Sequence, residues 1–313
     1  NRDYLMNVVA IIILYNPDLT KLQRLYDSVV SQVSAIVFVD NSPLADIQAK
    51  NQQWLNNLDN KVCHYVSMGQ NVGIATAQNQ GIKLAKALQA EFVSLFDQDS
   101  VLPNRMVDNL LAMYKKIKKQ HQKVAVISPA FIDEKTNELS KLIRHQGLKV
   151  NKISLDNALE FEVTDYAIAS GSLIPIDNFD NVGMMQDDLF IDWVDIEWGL
   201  RAKKLGYLSY TVPNVVMRHN IGDESVSIGS KNINLHSDFR NYFIVRNSVY
   251  LGLYSDLSIN FRVIQLSKTP LYVLFYSYHS KRPLYSLKLL LTAIKDGVTK
   301  KMGKGHFSEV QNV

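Results

Sequence analysis

The sequence predicts an α/β fold, in which a mostly parallel central sheet is followed by a helical C-terminal segment. Short apolar runs of strand length alternate with stretches of helical spacing, and the runs lie at residues 8–14, 35–39, 62–66, 92–96 and 124–127. Strands that are apolar throughout are typical of a parallel sheet covered by helices on both faces. From about residue 235 the chain reads as helical, and aromatic and basic residues accumulate there.

The elements between these runs carry their own local signals. Asp18 is placed to cap a helix whose apolar residues recur at helical spacing up to residue 30. Small and apolar positions predict a second helix over 74–90, and a shorter helix over 195–204 ends at Gly206. Segments 166–175 and 207–212 read as strands. The alternation therefore extends through most of the chain.

Composition excludes several classes of protein. Hydrophobic residues make up 47% and charged residues 20% of the 313 residues, which argues against disorder. The single cysteine, Cys63, excludes a disulfide framework and a cysteine-based zinc site, and its apolar surroundings predict a buried strand residue. A net charge of +4 is too small to indicate nucleic acid as a partner. No apolar run reaches the roughly 18 residues of a spanning helix and no secretory signal is visible, so we expect a cytoplasmic location.

Two polar segments follow predicted strands directly. They are Asp40-Asn41-Ser42 and Asp97-Gln98-Asp99. Ligands of parallel α/β sheets bind beyond the carboxyl ends of the strands, so both segments are expected to face one crevice. Two carboxylates on a strand-end loop suit Mg²⁺ or Mn²⁺, which prefer oxygen ligands and leave positions for substrate phosphates. The alternative for Asp97-x-Asp99 is a solvated acidic turn.

The segment from Asn71 to Gly81 is a second candidate for ligand binding. Gly73 permits close approach of the backbone, and the N-terminus of the helix that follows favours an anionic group. The alternative is a loosely capped helix with small packing residues.

A third candidate is the acidic segment around Asp195. Carboxylates crowd at Asp187, Asp188, Asp192, Asp195 and Glu197, which indicates a site more than a simple helix cap. Glu197 and Arg201 are four residues apart on the predicted helix, so an intrahelical ion pair is the alternative for those two residues.

The order of these motifs resembles the inverting family 2 glycosyltransferases of the GT-A fold. The resemblance rests on Asp40, Asn71-x-Gly73 with Asn79-x-Gly81, Asp97-x-Asp99, and Asp195-x-Glu197-Trp198-x-x-Arg201, and it covers roughly residues 7–250. The sequence of segment 190–198 is similar to that of the bacterial rhamnosyltransferases within this family. Members often carry Glu-Asp where this chain has Val194-Asp195, so a helper carboxylate is lost here.

The resemblance implies a role for each matching residue. Asp195 would be the catalytic base. Asp99 would be the firmer metal ligand, with Asp97 nearer the ribose or a metal-bound water, and His219 could complete the metal site or be structural. The residues implied to bind the nucleotide sugar are Asp40 at the base, Asn71, Gly73, Asn79, Asp97, Arg201 and Arg246. The signature Phe239-Arg240-Asn241-Tyr242 with Val245-Arg246-Asn247 would lie near the acceptor or diphosphate, although Arg246 could equally be a surface helix residue.

The implied activity is inverting transfer of a sugar from a nucleotide diphosphate to a hydroxyl group, assisted by Mg²⁺ or Mn²⁺. The similarity favours L-rhamnose from dTDP-rhamnose, and an acceptor that is a cell-surface polysaccharide or a lipid-linked oligosaccharide precursor. Galactofuranose, glucose and N-acetylglucosamine are alternative sugars. A non-catalytic nucleotide-binding domain is a rival, but it would have no use for a base at Asp195. A nucleotidyltransferase is a further rival, but no Gly-rich, Lys-bearing N-terminal loop is present.

The C-terminal segment indicates an additional surface. Between residues 268 and 304 basic residues far outnumber the single acid Asp296, and leucines and aromatics interleave with them. Such helices can lie in a membrane interface, which predicts a peripheral location on the inner face of the bacterial cell membrane. The alternative is a helical cap on the catalytic domain. We expect a GT-A domain over 1–250, with a nucleotide-sugar half at about 1–130 and an acceptor half at about 131–250, and the helical segment over 251–313.

Overall fold

The computed structural model describes residues 6–59, 61–121, 123–133, 137–156, 160–219, 224–228 and 231–308. Its strands are β1 (Val8–Leu14), β2 (Ala35–Asp40), β3 (Cys63–Ser67), β4 (Phe92–Asp97), β5 (Val124–Asp133), β6 (Leu142–Gln146), β7 (Lys149–Ile153), β8 (Glu162–Thr164), β9 (Leu173–Pro175), β10 (Leu208–His219), β11 (Glu224–Ile228) and β12 (Lys231–Leu235). Its helices are α1 (Leu19–Val29), α2 (Ala45–Leu55), α3 (Ile74–Ala87), α4 (Met106–Lys118), α5 (Asn178–Asn181), α6 (Val194–Lys204), α7 (Asp238–Tyr254), α8 (Ile259–His279) and α9 (Pro283–Val298).

Within the described residues, eight strands form one sheet in the order β3-β2-β1-β4-β9-β5-β10-β8. The pairs β3–β2, β2–β1, β1–β4 and β5–β10 are parallel, whereas β9 is antiparallel to both β4 and β5. The mostly parallel sheet predicted from the sequence is therefore confirmed. The short β6–β7 and β11–β12 hairpins lie outside this sheet.

Helices cover both faces of the sheet, because alternate side chains of each strand point to opposite faces. From β1, Ala10 and Ile12 pack with the buried faces of α1 and α4. Ile11 and Ile13 pack on the opposite face with residues of α3 and α6. Burial on both faces explains why β1 reads as an unbroken apolar run.

Some element boundaries differ from the predictions. Segment 166–172 is irregular and only Leu173–Pro175 is a strand, because Gly171 has a positive φ of 79° and turns the chain beside β4. Cys63 opens β3 and is half-buried, with its pKa raised to about 11 by that burial. The thiol is therefore neutral at physiological pH.

The C-terminal helices pack on one another around an aromatic cluster. Tyr242 and Phe243 of α7 lie in this cluster with Leu289, Leu290 and Ala293 of α9. The predicted domain boundary at residue 250 falls inside α7, and the division into nucleotide and acceptor halves stays a prediction. No helix in the described ranges is long and apolar enough to cross a membrane.

Candidate active site

Two adjoining cavities open at the carboxyl edge of the sheet. Since β1 lies between β2 and β4, with Leu14 opposite Asp40 and Ile13 opposite Asp97, the two polar segments meet at one edge as predicted. The first cavity has a volume of about 450 Å³ and the second about 420 Å³. Both are lined by Ile74, Gln78, Asp97, Ala169, Ile191 and Arg240. The shared lining makes them two compartments of one site.

A pair of amide side chains, Asn41 and Asn71, lines the first cavity and not the second. The Asn41 amide donates to Asn71 Oδ1 at 2.9 Å, and the Val72 backbone N–H donates to Asn41 Oδ1 at 2.8 Å. Asn71 Oδ1 also accepts from the Gly73 N–H at 3.0 Å. Asn71 and Asn41 both line the cavity, and the predicted role of Asn71 in nucleotide binding stays a prediction.

Asp40 is buried and does not line this cavity, and its predicted contact with the base stays a prediction. Its side chain is 0% exposed, and its oxygens accept from the Ser42 N–H, the Asn51 amide and the Tyr65 hydroxyl at 2.8 to 2.9 Å. Successive strand residues point to opposite sides, so Asn41 takes the place at the cavity surface. Asp40 instead fixes the loop that carries Asn41.

Gly73 permits a close approach, but the partner is the protein itself. A β-carbon at Gly73 would lie 2.6 Å from the Phe190 ring and 2.7 Å from its carbonyl oxygen, and φ is 87°. The Ile74 N–H at the start of α3 donates to the Phe190 carbonyl at 2.7 Å. The predicted anion site at this N-terminus is therefore occupied by a backbone carbonyl. Gly73 still lines the first cavity.

Asn79 holds a neighbouring loop and lines neither cavity, and its predicted place in the nucleotide pocket stays a prediction. Its amide donates to the Met185 carbonyl and to Asp187 Oδ1, at 2.9 and 2.7 Å, and its Oδ1 accepts from the Met185 N–H at 2.9 Å. Gly81 brings α3 against the sheet, since a β-carbon there would lie 2.4 Å from the Ile11 side chain. Both residues position α3.

The acidic loop after β4 is fixed by its middle residue. Gln98 forms two hydrogen bonds with the backbone of Tyr15, at 2.8 and 3.0 Å, and so ties the loop to the end of β1. Asp97 lines both cavities and is half-buried, whereas Asp99 is exposed. The loop therefore presents one carboxylate to the cavities and one to solvent.

Asp195 lies in the first turn of α6 and lines the second cavity. Its Oδ2 accepts from the Ala169 N–H at 3.1 Å, and its Oδ1 accepts from the Ile196 N–H at 2.9 Å. The neighbouring Ser170 hydroxyl accepts from the Asp97 backbone N–H at 3.2 Å, so segment 169–170 connects the Asp195 carboxylate to the main chain of Asp97.

The environment of Asp195 raises its pKa. Burial raises this pKa to about 6, with a further contribution from the Asp97 charge, and the backbone N–H groups offset only part of the rise. A carboxylate with a pKa near the operating pH is suited to accept a proton as a general base.

The segment that leads into α6 is strained. Phe190, Asp192 and Trp193 all have positive φ values, of 64°, 61° and 65°. The Asn247 amide steadies this segment by donating to the carbonyls of Leu189 and Ile191, both at 2.9 Å. Strain of this kind persists only where surrounding contacts impose it, and it concentrates at functional sites.

Arg201 makes structural contacts, and its predicted contact with the nucleotide sugar stays a prediction. It forms a bidentate ion pair with buried Glu197 at 2.8 and 2.9 Å, which was the alternative left open by their spacing. It also donates to the carbonyls of Val182 and Met184, each at 2.8 Å. Its guanidinium therefore fastens the loop before the active site to α6.

Arg246 also makes structural contacts, and its burial excludes the alternative of a surface helix residue, whereas its predicted contact with the nucleotide sugar stays a prediction. Its side chain is 0% exposed and donates to the carbonyls of Leu189 and Gly303 and to Asn247 Oδ1. Burial lowers its pKa to about 10, so it keeps its charge at neutral pH. Arg240, six residues earlier on α7, lines both cavities instead and pairs with Asp192, with its Nη2 atom 2.5 Å from Asp192 Oδ1.

The two arginines are expected to respond differently to substitution. Arg246→Met leaves several buried carbonyls without a donor, so we expect a loss of about 3 kcal/mol or more in the free energy of unfolding. Arg240→Met removes a half-exposed ion pair and should change that free energy by less than about 1 kcal/mol. Urea unfolding of both variants checks this, and equal stability of the two would contradict the structural role of Arg246.

The third predicted metal ligand is His219, the last residue of β10. Its side chain lies outside the described part of the structure, so its contribution stays a prediction. Among the described residues, no group of three or more His, Cys, Asp or Glu side chains is arranged to hold a metal ion.

Comparison with known proteins identifies the family. Residues 9–180 match the profile of Glycosyl transferase family 2. The chain is 31% identical over 304 residues to the dTDP-rhamnosyl transferase RfbF of Shigella flexneri, covering 96% of this chain and 99% of that protein. It is also 24% identical over 252 residues to the low-salt glycan biosynthesis hexosyltransferase Agl10 of Haloferax volcanii, covering 79% of this chain and 78% of the relative.

Solved structures share the fold at low sequence identity. GalNAc-T7 with UDP, GalNAc and Mn²⁺ has a TM-score of 0.58 at 13% identity, over 91% of this chain and 56% of that one, so this chain spans little more than half of its length. The mannosyltransferase PcManGT of Pyrobaculum calidifontis, in complex with GDP-Man and Mn²⁺, has a TM-score of 0.54 at 14% identity, over 96% and 77%. These likenesses confirm the GT-A fold. The family profile and the nearly full-length relative show that this chain belongs to glycosyl transferase family 2.

Proposed function

We propose that this glycosyltransferase moves L-rhamnose from dTDP-rhamnose to a hydroxyl group of a saccharide acceptor, with inversion at the anomeric carbon. The sugar assignment is supported by the similarity to the Shigella flexneri rhamnosyl transferase, which extends over 96% of the chain. The chemistry is supported by one feature of the geometry, the placement of Asp195 in the compartment next to the one that reaches Asn41 and Asn71.

In this single-displacement mechanism, one compartment binds the donor and the other binds the acceptor. The nucleotide lies in the first cavity, with its base toward the Asn41–Asn71 pair and its diphosphate toward Asp97 and Arg240. The acceptor enters the second cavity, where Asp195 removes the proton of the attacking hydroxyl. The bond from the anomeric carbon to the diphosphate breaks as the bond to the acceptor oxygen forms on the opposite face. Inversion follows, and no covalent intermediate is needed.

The Asp97–Asp99 loop fits a divalent cation. Mg²⁺ and Mn²⁺ are commonly held by one or two carboxylates together with substrate phosphates, so a cluster of three protein ligands is not required. Exposed Asp99 and Asp97, in the lining, would hold the ion, with His219 as a third ligand by family resemblance. The ion would supply positive charge to the leaving diphosphate.

A panel of nucleotide sugars tests the proposal. The purified protein with Mn²⁺ is incubated with dTDP-rhamnose, UDP-galactose, UDP-glucose and UDP-N-acetylglucosamine, and thermal shift and release of nucleoside diphosphate are measured. We expect the largest shift and the fastest release with dTDP-rhamnose. Preference for a UDP sugar would reject the rhamnose assignment but would still be consistent with glycosyltransferase activity.

The raised pKa of Asp195 predicts the acid limb of the pH profile. The base must be ionised to accept a proton, so kcat should fall about tenfold per pH unit below a pKa near 6 and level off above pH 7. Initial rates between pH 4.5 and 8.5 at saturating donor check this. A rate that stays constant down to pH 4.5 would exclude Asp195 as the base.

We also propose that the outer surface of α8 and α9 docks on an anionic lipid surface. Exposed apolar side chains recur along one side of α8 at helical spacing and continue on α9, and they are Ile259, Val263, Leu266, Leu271, Leu274, Tyr278, Leu284 and Leu291. The sequence of α8 has no acidic residue, and Asp296, the single acid of α9, is buried against the Tyr242 hydroxyl. Exposed Lys281, Arg282, Lys288 and Lys295 lie on the same part of the chain. Apolar area with basic flanks and no exposed acid within α8 and α9 suits anionic headgroups, and the exposed Asp256 just before α8 is paired with Lys204. Other faces of these helices cap the catalytic part.

Vesicle flotation tests the lipid surface with a matched control. Leu271→Ser with Leu274→Ser should weaken binding to anionic vesicles at least about tenfold, because two leucines leave the apolar phase. The control replaces Leu148 and Leu205, which are exposed leucines elsewhere, and should bind like the wild type. Leu274 and Leu148 are 66% and 63% exposed, so the pairs differ mainly in position. Equal loss in both pairs, or no wild-type binding, would reject the surface.

A further inference from the structure

Gln78 is a polar side chain that the mechanism above does not use. It lies on α3, lines both cavities and is 6% exposed. Within the described part of the chain, its Oε1 atom is buried and has no hydrogen-bond donor. An unsatisfied buried acceptor costs about 1–3 kcal/mol, so its presence calls for a compensating function.

Other amide side chains around the site do have hydrogen-bond donors for their oxygens. The oxygens of Asn41, Asn71 and Asn79 each accept a backbone or side-chain N–H at 2.8 to 3.0 Å. Asn79 follows Gln78 directly on α3 and has both ends of its amide engaged. Among the described amides, Asn241 Oδ1 is also buried without a donor, but Asn241 lines neither cavity, so Gln78 is the one of the two that faces both compartments.

The position of Gln78 selects the part of the substrate that can reach it. The compartments meet where Gln78, Asp97 and Arg240 line both, and Asp195 lines only the second compartment. In the proposed reaction this junction holds the sugar ring, because the anomeric carbon must face the diphosphate on one side and the acceptor on the other. The walls beside Gln78 include the apolar side chains of Ile74 and Ile191. Because these apolar walls carry no donor, a hydroxyl of the bound sugar is the group that can donate to the Gln78 carbonyl oxygen.

We infer that Gln78 accepts a hydrogen bond from a hydroxyl of the transferred sugar and so contributes to the choice of donor. The terminal torsion of glutamine is broad, so the amide can turn from its buried position toward the ring when the donor binds. A site built to pair with a substrate hydroxyl discriminates strongly against an analogue that lacks it, because the protein acceptor is then left unsatisfied. The inference rests on the proposed function in one respect, that the ligand is a nucleotide sugar.

Gln78→Met tests the inference, because methionine keeps the length of the side chain and removes its hydrogen-bonding groups. The affinities for dTDP-rhamnose and for dTDP alone are measured by titration calorimetry with Mn²⁺ present. We expect the Kd of dTDP-rhamnose to rise about tenfold, which corresponds to about 1.4 kcal/mol, and that of dTDP to stay unchanged. A residue that merely supports the fold would change both constants together.

Gln80→Met is the matched control, since Gln80 lies on the same helix and is not among the residues lining the two cavities. It should leave both affinities at wild-type values. The inference is overturned if Gln78→Met leaves the Kd of dTDP-rhamnose unchanged or weakens both ligands equally. If the wild type binds dTDP and no nucleotide sugar, the proposed function fails and the inference with it. Wild-type turnover with an unchanged Kd in Gln78→Met overturns the inference alone.

Discussion

Asp195→Asn is expected to lower the rate of sugar transfer by about 10²–10⁴-fold, because the acceptor hydroxyl loses its proton acceptor. The amide occupies nearly the same space and its oxygen can still accept from the Ala169 N–H, so the second cavity keeps its shape. Donor affinity should change less than about threefold, since the nucleotide compartment is not lined by Asp195. Single-turnover rates and calorimetric donor binding check the two parts separately.

The same variant should alter the pH dependence of stability. Folding raises the pKa of Asp195 from 3.8 to about 6, so the fold favours the protonated form. Its contribution to stability is fully present below pH 3.8 and is lost as the pH rises through 6. Between pH 5 and pH 8 the wild type should therefore lose about 1 kcal/mol that Asp195→Asn does not lose. Parallel urea unfolding curves for the two proteins would show that the carboxylate is not perturbed and would remove this support for its role.

Asp99→Ala is expected to abolish the stimulation by divalent metal and to reduce transfer by at least about 100-fold. The reason is that the proposed ion would neutralise charge on the leaving diphosphate, a contribution of several kcal/mol. In the wild type, EDTA should stop transfer and Mn²⁺ should tighten dTDP binding. In Asp99→Ala, dTDP affinity should no longer depend on Mn²⁺, and this binding readout does not require activity.

Asp46→Ala is the control for this variant, because Asp46 is an exposed carboxylate in the first turn of α2. It should retain metal stimulation. If Asp99→Ala kept the same Mn²⁺ dependence as the wild type, the metal would have to bind elsewhere. Loss of that dependence in Asp97→Ala alone would assign the ion to the carboxylate that lines the cavities.

The sheet was predictable because its signal is local. The apolar run of β1 is buried on both faces, so its composition directly reflects its position. Strand order then brings the ends of β2 and β4 to one edge, and Asp97 lines the cavities as its strand-end position indicates. The irregular segment 166–172 was missed because tertiary contacts of Gly171 and Ser170 override its apolar pattern.

The site residues were harder to predict, because neighbouring residues of one motif take opposite directions. Asp40 is buried beneath Asn41, and Asn79 holds a loop whereas Gln78 lines the cavities. The choice between Arg240 and Arg246 could not be made from α7, which is buried on all sides over residues 241–249 and so has no polar face to orient it. Only the packing of α7 against α9 and the chain around Gly303 decides which arginine is enclosed.

The anomeric configuration of the first product is the most direct measurement of the central claim, which is a single displacement with Asp195 as base. The purified enzyme with Mn²⁺, dTDP-rhamnose and a saccharide acceptor is followed by NMR, and the one-bond carbon–proton coupling at the anomeric position of the new linkage is read before hydrolysis intervenes. The account predicts a configuration opposite to that of the donor. A product with the donor's own configuration would contradict it, because one in-line attack cannot retain the anomeric centre.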